Sequence, residues 1–178
     1  AGVCAENNAQ FIHVSTDYVF DGENNLAYTE EDFTNPLGVY GASKLAGDEF
    51  ALEVNPCSVI LRTSWVYSEF GKNFVKTMLS LFATKEELNI VADQFGQPTN
   101  ANDLAEAIMK IIKSEKITPG IFNFSNLGRI SWFDFAEKIA ELSEAKIKLN
   151  AIETSQYPTP AKRPKNSVLD LGKISKTY

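Results

Sequence analysis

Apolar positions along the chain come in two alternating rhythms. Short crowded runs read as buried strands: Phe11 to Thr16, Ser58 to Val66 with Val59, Ile60, Leu61, Trp65 and Val66 in one window, Gly120 to Phe124, and a brief Asn89 to Ala92. Between them lie stretches with apolar residues three or four apart, the spacing of one helix face. These predict helices over Val39 to Glu53, Asn73 to Ala83, Asn102 to Ile112 and Ser131 to Leu142. Pro36 and Gly38 break the chain before the first helix, and Asn55-Pro56 ends it. Asn102 is the expected N-cap of the third. Ser131, with Asp134 three residues on, predicts a capping box for the fourth. Ala1 to Gln10 reads as the last turns of a helix entering the first strand. Tyr157 to Pro164 reads as an ordered loop, because it leads into the apolar pair Val168-Leu169. The alternation predicts an α/β fold with a parallel sheet flanked by helices.

Composition narrows the function classes. The chain has 178 residues, 44% of them hydrophobic, which suffices for one domain with a sizeable core. Lys and Arg number 17 against 23 Asp and Glu, a net charge of −6, and no basic block is present. That balance argues against nucleic acid as the main partner. No run approaches the ~20 apolar residues of a membrane span, and nothing reads as a signal peptide, so the expectation is a cytoplasmic protein without membrane contact. Cys4 and Cys57 lie far apart and read as reduced thiols, and no ligand spacing predicts a metal site. His13 is the one histidine, so a histidine-dependent triad or most zinc sites would have to use it. Inside Phe11-Ile12-His13-Val14 it reads instead as packed or locally hydrogen-bonded. No GxGxxG turn is found, and Gly38, Gly41 and Gly47 do not follow a strand at the spacing of a dinucleotide-binding turn.

The most informative stretch is Val39-Tyr40-Gly41-Ala42-Ser43-Lys44. Four residues apart on a helix, Tyr40 and Lys44 share a face one turn from each other. A phenol, with a pKa of about 10, carries protons poorly at neutral pH. An ammonium one turn away favours the phenolate, so the pair can exchange a proton with a substrate oxygen. The strand Phe11 to Val14 runs into Ser15-Thr16-Asp17, placing hydroxyls at a strand's C-terminal end, where open α/β sheets bind ligands. A YxxxK alone is weak, and a solvated helix face is its ordinary reading; the hydroxyl-bearing strand end strengthens it.

Five stretches carry a resemblance: Ser15 to Gly22 (STDYVFDG), Asn35 to Gly47 (NPLGVYGASKLAG), Arg62 to Tyr67 (RTSWVY), Asp93 to Thr99 (DQFGQPT) and Tyr157 to Pro164 (YPTPAKRP). In this order they resemble the extended short-chain dehydrogenase/reductases, and within them the dTDP-4-dehydrorhamnose reductases, from about Gln10 to Leu171. The resemblance implies an incomplete Rossmann-like parallel sheet with a small C-terminal substrate-binding α/β subdomain. Residues 1–178 would form the C-terminal part of one such unit. Residues 1–68 and about 93–125 would belong to its Rossmann core, with about 69–92 and 126–178 supplying substrate-binding elements. It implies NADPH, or NADH in some members, as cofactor, and reduction of the C4 keto group of a dTDP-sugar. Tyr40, Lys44 and Thr16 match the catalytic residues. Tyr40, Lys44, Val14 and Thr63 are implied on the cofactor side, and Thr16, Asp17, Trp65, Asn73 and Arg163 on the substrate side. Each has a plainer rival: core packing for Trp65, backbone satisfaction for Thr63 and Ser64, an N-cap for Asn73, a solvated loop charge for Arg163. Gln94 is a further pocket candidate. A non-catalytic regulatory subunit on the same scaffold, or another nucleotide-sugar reductase or epimerase, stays open. A dehydratase does not fit, since Asp17-Tyr18 stands where that chemistry uses Asp-Glu. Family members carry a Gly-rich loop before these segments. The chain alone is therefore expected to bind nicotinamide cofactor weakly and to self-associate through an exposed sheet edge.

Overall fold

The computed structural model describes residues 1–178. In chain order its elements are α1 (Gly2–Glu6), β1 (Ile12–Thr16), a 3₁₀ turn (Asp17–Val19), α2 (Val39–Val54), β2 (Val59–Thr63), β3 (Val66–Tyr67), α3 (Phe74–Phe82), β4 (Glu87–Val91), β5 (Phe95–Gly96), β6 (Thr99–Asn100), α4 (Ala101–Lys113), β7 (Gly120–Asn123), β8 (Ile130–Ser131), α5 (Trp132–Leu142), β9 (Lys148–Ile152), a second 3₁₀ turn (Thr154–Gln156) and α6 (Gly172–Thr177). β1, β2 and β7 form a parallel sheet in that order, with β1 and β7 outermost. Thr16 pairs in register with Thr63, so the C-terminal ends of β1 and β2 lie side by side.

β2 is buried along its whole length. Helices cover both faces of the sheet, which explains the consecutive apolar residues Val59, Ile60 and Leu61. On one face Val59 and Leu61 join Phe122 of β7, Leu104 and Ile111 of α4, and Ile174 of α6. On the other, Arg62 reaches Asp48 of α2. A second apolar cluster, Met78, Ile90, Phe135, Ala136 and Ile139, packs α3 and α5 against β4, whose partner is β9. No helix is long and apolar enough to cross a membrane, and no group of three or more potential metal ligands converges.

The structure alters three sequence expectations. The strand expected over Ser58 to Val66 ends at Thr63; Trp65 takes φ +44°, which breaks it before β3. The N-cap of α4 is Asn100 rather than Asn102, its side chain accepting from the Asn102 amide at 2.9 Å. The short β5, β6 and β8, together with β9 and α6, have no counterpart in the sequence expectations. The α5 capping box forms as expected: Ser131 Oγ accepts from the Asp134 amide, and the Asp134 carboxylate from the Ser131 amide.

Candidate active site

Gly38 starts α2 in extended backbone, putting Tyr40 and Lys44 in the helix's first turns. The helix can begin there because Gly41 has no side chain: a Cβ would collide with the Tyr18 carbonyl and Pro36. Tyr40 and Lys44 face the ends of β1 and β2 across a cleft of about 250 Å³, which Val14, Thr16, Asp17, Thr63 and Trp65 also line. Seven of the nine residues singled out from sequence therefore share one cleft.

Lys44 Nζ donates to the Val14 carbonyl at 2.7 Å and lies 3.2 Å from His13 Nε2. Behind it Asp48, buried and one further turn along α2, accepts from Ser15 Oγ at 2.8 Å and lies 3.5 Å from Arg62 Nε. Burial and the Lys44 charge lower the His13 pKa, against the pull of Asp48. Asp17 is fully buried, and that burial pushes its carboxyl up to about 6; hydrogen bonding from neighbouring hydroxyls and backbone amides offsets this only in part. Its Oδ1 accepts from Thr16 Oγ1 at 3.0 Å. A second phenol, Tyr18, packs edge-on against Tyr40 with ring centres 5.9 Å apart, and burial with the Asp17 charge pushes its pKa up to about 12, so it stays protonated. Tyr40 is 58% exposed.

Trp65 answers both of its readings. Its ring lines the cleft and also stacks on Trp132, with centroids 3.5 Å apart. Gly96 allows this, since a Cβ there would sit 2.5 Å from the indole. Trp132 faces a second cavity of about 400 Å³, so the stacked pair forms a partition between the two spaces. Arg163 and Gln94 line that second cavity together with Phe74, Tyr157 and Thr159. Asn73 lies outside the first cleft. It is the N-cap of α3, accepting from the Lys76 amide at 3.1 Å and donating to the Ser68 carbonyl at 2.7 Å. Ser64 likewise satisfies backbone, donating to the Gln97 carbonyl at 2.7 Å. Sequence reasoning missed Asp48 and Trp132. Asp48 was within reach, because it continues the four-residue spacing of Tyr40 and Lys44; the Trp132 contact spans 67 positions and leaves no local signal.

The family model described as RmlD substrate binding domain matches residues 1–178. A dTDP-4-dehydrorhamnose reductase of Sinorhizobium fredii is 48% identical over 176 residues, covering 94% of this chain and 60% of that protein. A dTDP-4-dehydrorhamnose reductase from Clostridium acetobutylicum superposes with TM-score 0.95 at 41% identity, covering 99% of this chain and 62% of that one. The Bacillus anthracis reductase in complex with NADP gives TM-score 0.93 at 38% identity, with 99% and 62% covered. The chain thus spans about three-fifths of the length of these relatives. UDP-glucuronic acid 4-epimerase from Bacillus cereus, at 23% identity and TM-score 0.78, shares the fold. A match running from the first residue to the last, on a backbone that the solved reductases reproduce almost throughout, places the chain in the RmlD substrate binding domain family.

Proposed function

We propose that the protein carrying this chain reduces the C4 keto group of a dTDP-linked 4-keto-6-deoxy sugar, dTDP-4-dehydrorhamnose, with NADPH. The observation that carries this reading is the convergence of Tyr40, Lys44, Thr16 and Trp65 on one cleft. The S. fredii and C. acetobutylicum relatives, named for that reaction, supply the substrate. The B. anthracis structure supplies the cofactor.

The cleft's donor set suits the nicotinamide and ribose end of such a cofactor. An ammonium has three N–H groups. In Lys44 two are engaged by Val14 and His13, leaving one for a ribose hydroxyl. Val14 offers an exposed apolar side chain beside it for a flat ring. When bound, NADPH supplies the hydride that reduces the C4 carbon.

Negative charge then develops on the C4 oxygen, and this chain's residues answer it. The Tyr40 hydroxyl would donate a hydrogen bond to that oxygen, joined by Thr16 Oγ1 once it turns its one proton away from Asp17 Oδ1, and Tyr40 gives up its proton to form the alcohol. The Lys44 charge stabilises the phenolate left behind. Trp65 supplies an apolar wall for the 6-deoxy sugar. On the far side of the partition, Arg163 offers a planar donor fork for the diphosphate. Asn73, its side chain engaged in capping, contributes by fixing the start of α3, whose Phe74 lines the second cavity.

The test is NADPH oxidation by the full-length protein with dTDP-4-dehydrorhamnose. Tyr40→Phe should lower kcat by roughly 10²–10⁴-fold, the range of a lost general acid, and move the NADPH Kd by less than about threefold. Unchanged turnover in that variant removes Tyr40 from the chemistry.

A further inference from the structure

We propose that His13 is a titrating positioning residue that helps fix the Lys44 ammonium while neutral and, on protonation, gives up that contact and turns its new ring N–H toward Asp48. The inference rests on the reductase reading for its consequence but not for its geometry.

The geometry defines two states. His13 Nε2 lies 3.2 Å from Lys44 Nζ, and an ammonium can only donate. Nε2 must therefore accept, which makes His13 the neutral tautomer carrying its proton on Nδ1. Asp48 Oδ1 lies 3.6 Å from the same Nε2; it is buried and has no hydrogen-bond partner. The other oxygen, Oδ2, is engaged by Ser15 and Arg62. A proton arriving at Nε2 abolishes the acceptor for Lys44, sets a second positive charge beside the ammonium, and creates a donor for the orphaned Oδ1. Every charge facing His13 pushes toward one state or the other. From α2, Lys44 opposes protonation and Asp48 favours it; the more distant amino group at Ala1 opposes it. From β2, Arg62 acts through its pairing with Asp48. Phe11 stacks on the imidazole, holding the ring plane in place. His13 remains part-exposed, so a proton can reach it.

Burial and Lys44 lower the His13 pKa, so the fixed state persists from alkaline pH down through neutrality. Release belongs below the ordinary histidine value of about 6.5. Asp17, in the same cleft, titrates in that region too, so an acid limb of activity alone cannot report on His13. A direct readout is therefore needed.

The experiment uses the full-length protein. Imidazole resonances are followed by NMR against pH, the His13 signal being the one that disappears in His13→Gln. In the wild type, ¹⁵N shifts should give the Nδ1–H tautomer. Lys44→Met should raise the His13 pKa by at least about half a pH unit, since it removes a facing cation. In steady-state assays at pH 8, His13→Phe keeps the ring stacking but loses the acceptor. Its KM for NADPH should rise roughly tenfold or more, the value of one hydrogen bond to a charged group. His13→Gln, whose amide oxygen reaches the Nε2 position, should restore KM to within about threefold of wild type. A His13 pKa that stays put in Lys44→Met overturns the coupling. Wild-type constants in His13→Phe overturn the positioning role. A full-length protein that reduces no dTDP-sugar defeats the proposed function yet leaves the NMR result to decide the switch.

Discussion

Asp17→Asn should stabilise the protein at alkaline pH and progressively less toward acid. The Asp17 carboxyl is fully buried, and burial raises its pKa from 3.8 to about 6. Its Oδ2 has no hydrogen-bond partner. A raised folded-state pKa means that the native protein holds the proton more tightly than the unfolded chain. The group therefore favours folding below about pH 4, and that advantage is lost as pH rises through about 6. Slightly more than two pH units at 1.36 kcal/mol each sets a ceiling of about 3 kcal/mol on what the ionised carboxylate costs above pH 6. Asparagine keeps the shape and the acceptor for Thr16 while discarding the charge. Urea denaturation of the full-length wild type and variant at pH 4.5, 6 and 8 isolates the effect, because all other titrations cancel in the difference. We expect the gain to grow with pH, from at most about 1 kcal/mol at pH 4.5, where the unfolded carboxyl is already mostly ionised and the buried one is not, to about 1–3 kcal/mol at pH 8. A stability difference that does not change with pH refutes the argument, because it would mean that Asp17 is not a buried, proton-seeking carboxyl.

Two further outcomes test the partition and its support. Gly96→Ala puts a methyl against the Trp65 indole and must displace it from the Trp132 stack; the sugar-nucleotide KM should rise roughly tenfold or more, with NADPH binding little changed. Ser131→Ala removes the oxygen that caps α5 one residue before Trp132 and should cost about 1 kcal/mol in chemical denaturation; a loss under about 0.3 kcal/mol would show that tertiary packing alone holds the helix start.

What could be read from the chain was whatever local periodicity encodes. α2 to α5, β1, β2 and β7 announced themselves through spacing and breakers, and Tyr40 and Lys44 through one helical turn. β9 stayed hidden because Lys148–Ile152 is half-exposed and only weakly apolar; it is a strand by virtue of pairing with β4, 61 residues away. α6, six residues long, is too short to show a period. The break at Trp65 ran against local preference, since tryptophan favours strands. It comes from contacts distant in sequence: Ser64 on the Gln97 carbonyl, and the indole lodged between Gly96 and Trp132. Asn102 lost its capping role to Asn100 because two asparagines stand two residues apart, and sequence alone ranks them equally.

Of the six buried side-chain polar atoms that the fold leaves unpaired, three fall together, the others being on Asn123, Ser125 and Asn166. Asp17 Oδ2, Asp48 Oδ1 and Arg62 Nη1 are all buried without a partner, and all belong to residues that line or underlie the Tyr40–Lys44 cleft. Most buried polar groups in folded proteins are satisfied, and each that is not costs about 1–3 kcal/mol. Apolar replacements at such positions are often neutral or stabilising, so stability gives little reason for these residues. The proposed reduction gives one. A cleft that must hold an ammonium next to a phenol needs a counter-charge within reach, and Asp48 supplies it beneath both Lys44 and Arg62. Asp17 sets a carboxyl beside the Thr16 hydroxyl, where a sugar oxygen would arrive. If that is why they persist, the variant predicted to fold more tightly, Asp17→Asn, should also be the poorer reductase. Gain in one property and loss in the other, measured on the same protein, would locate the strain of this fold at the place where its reaction occurs.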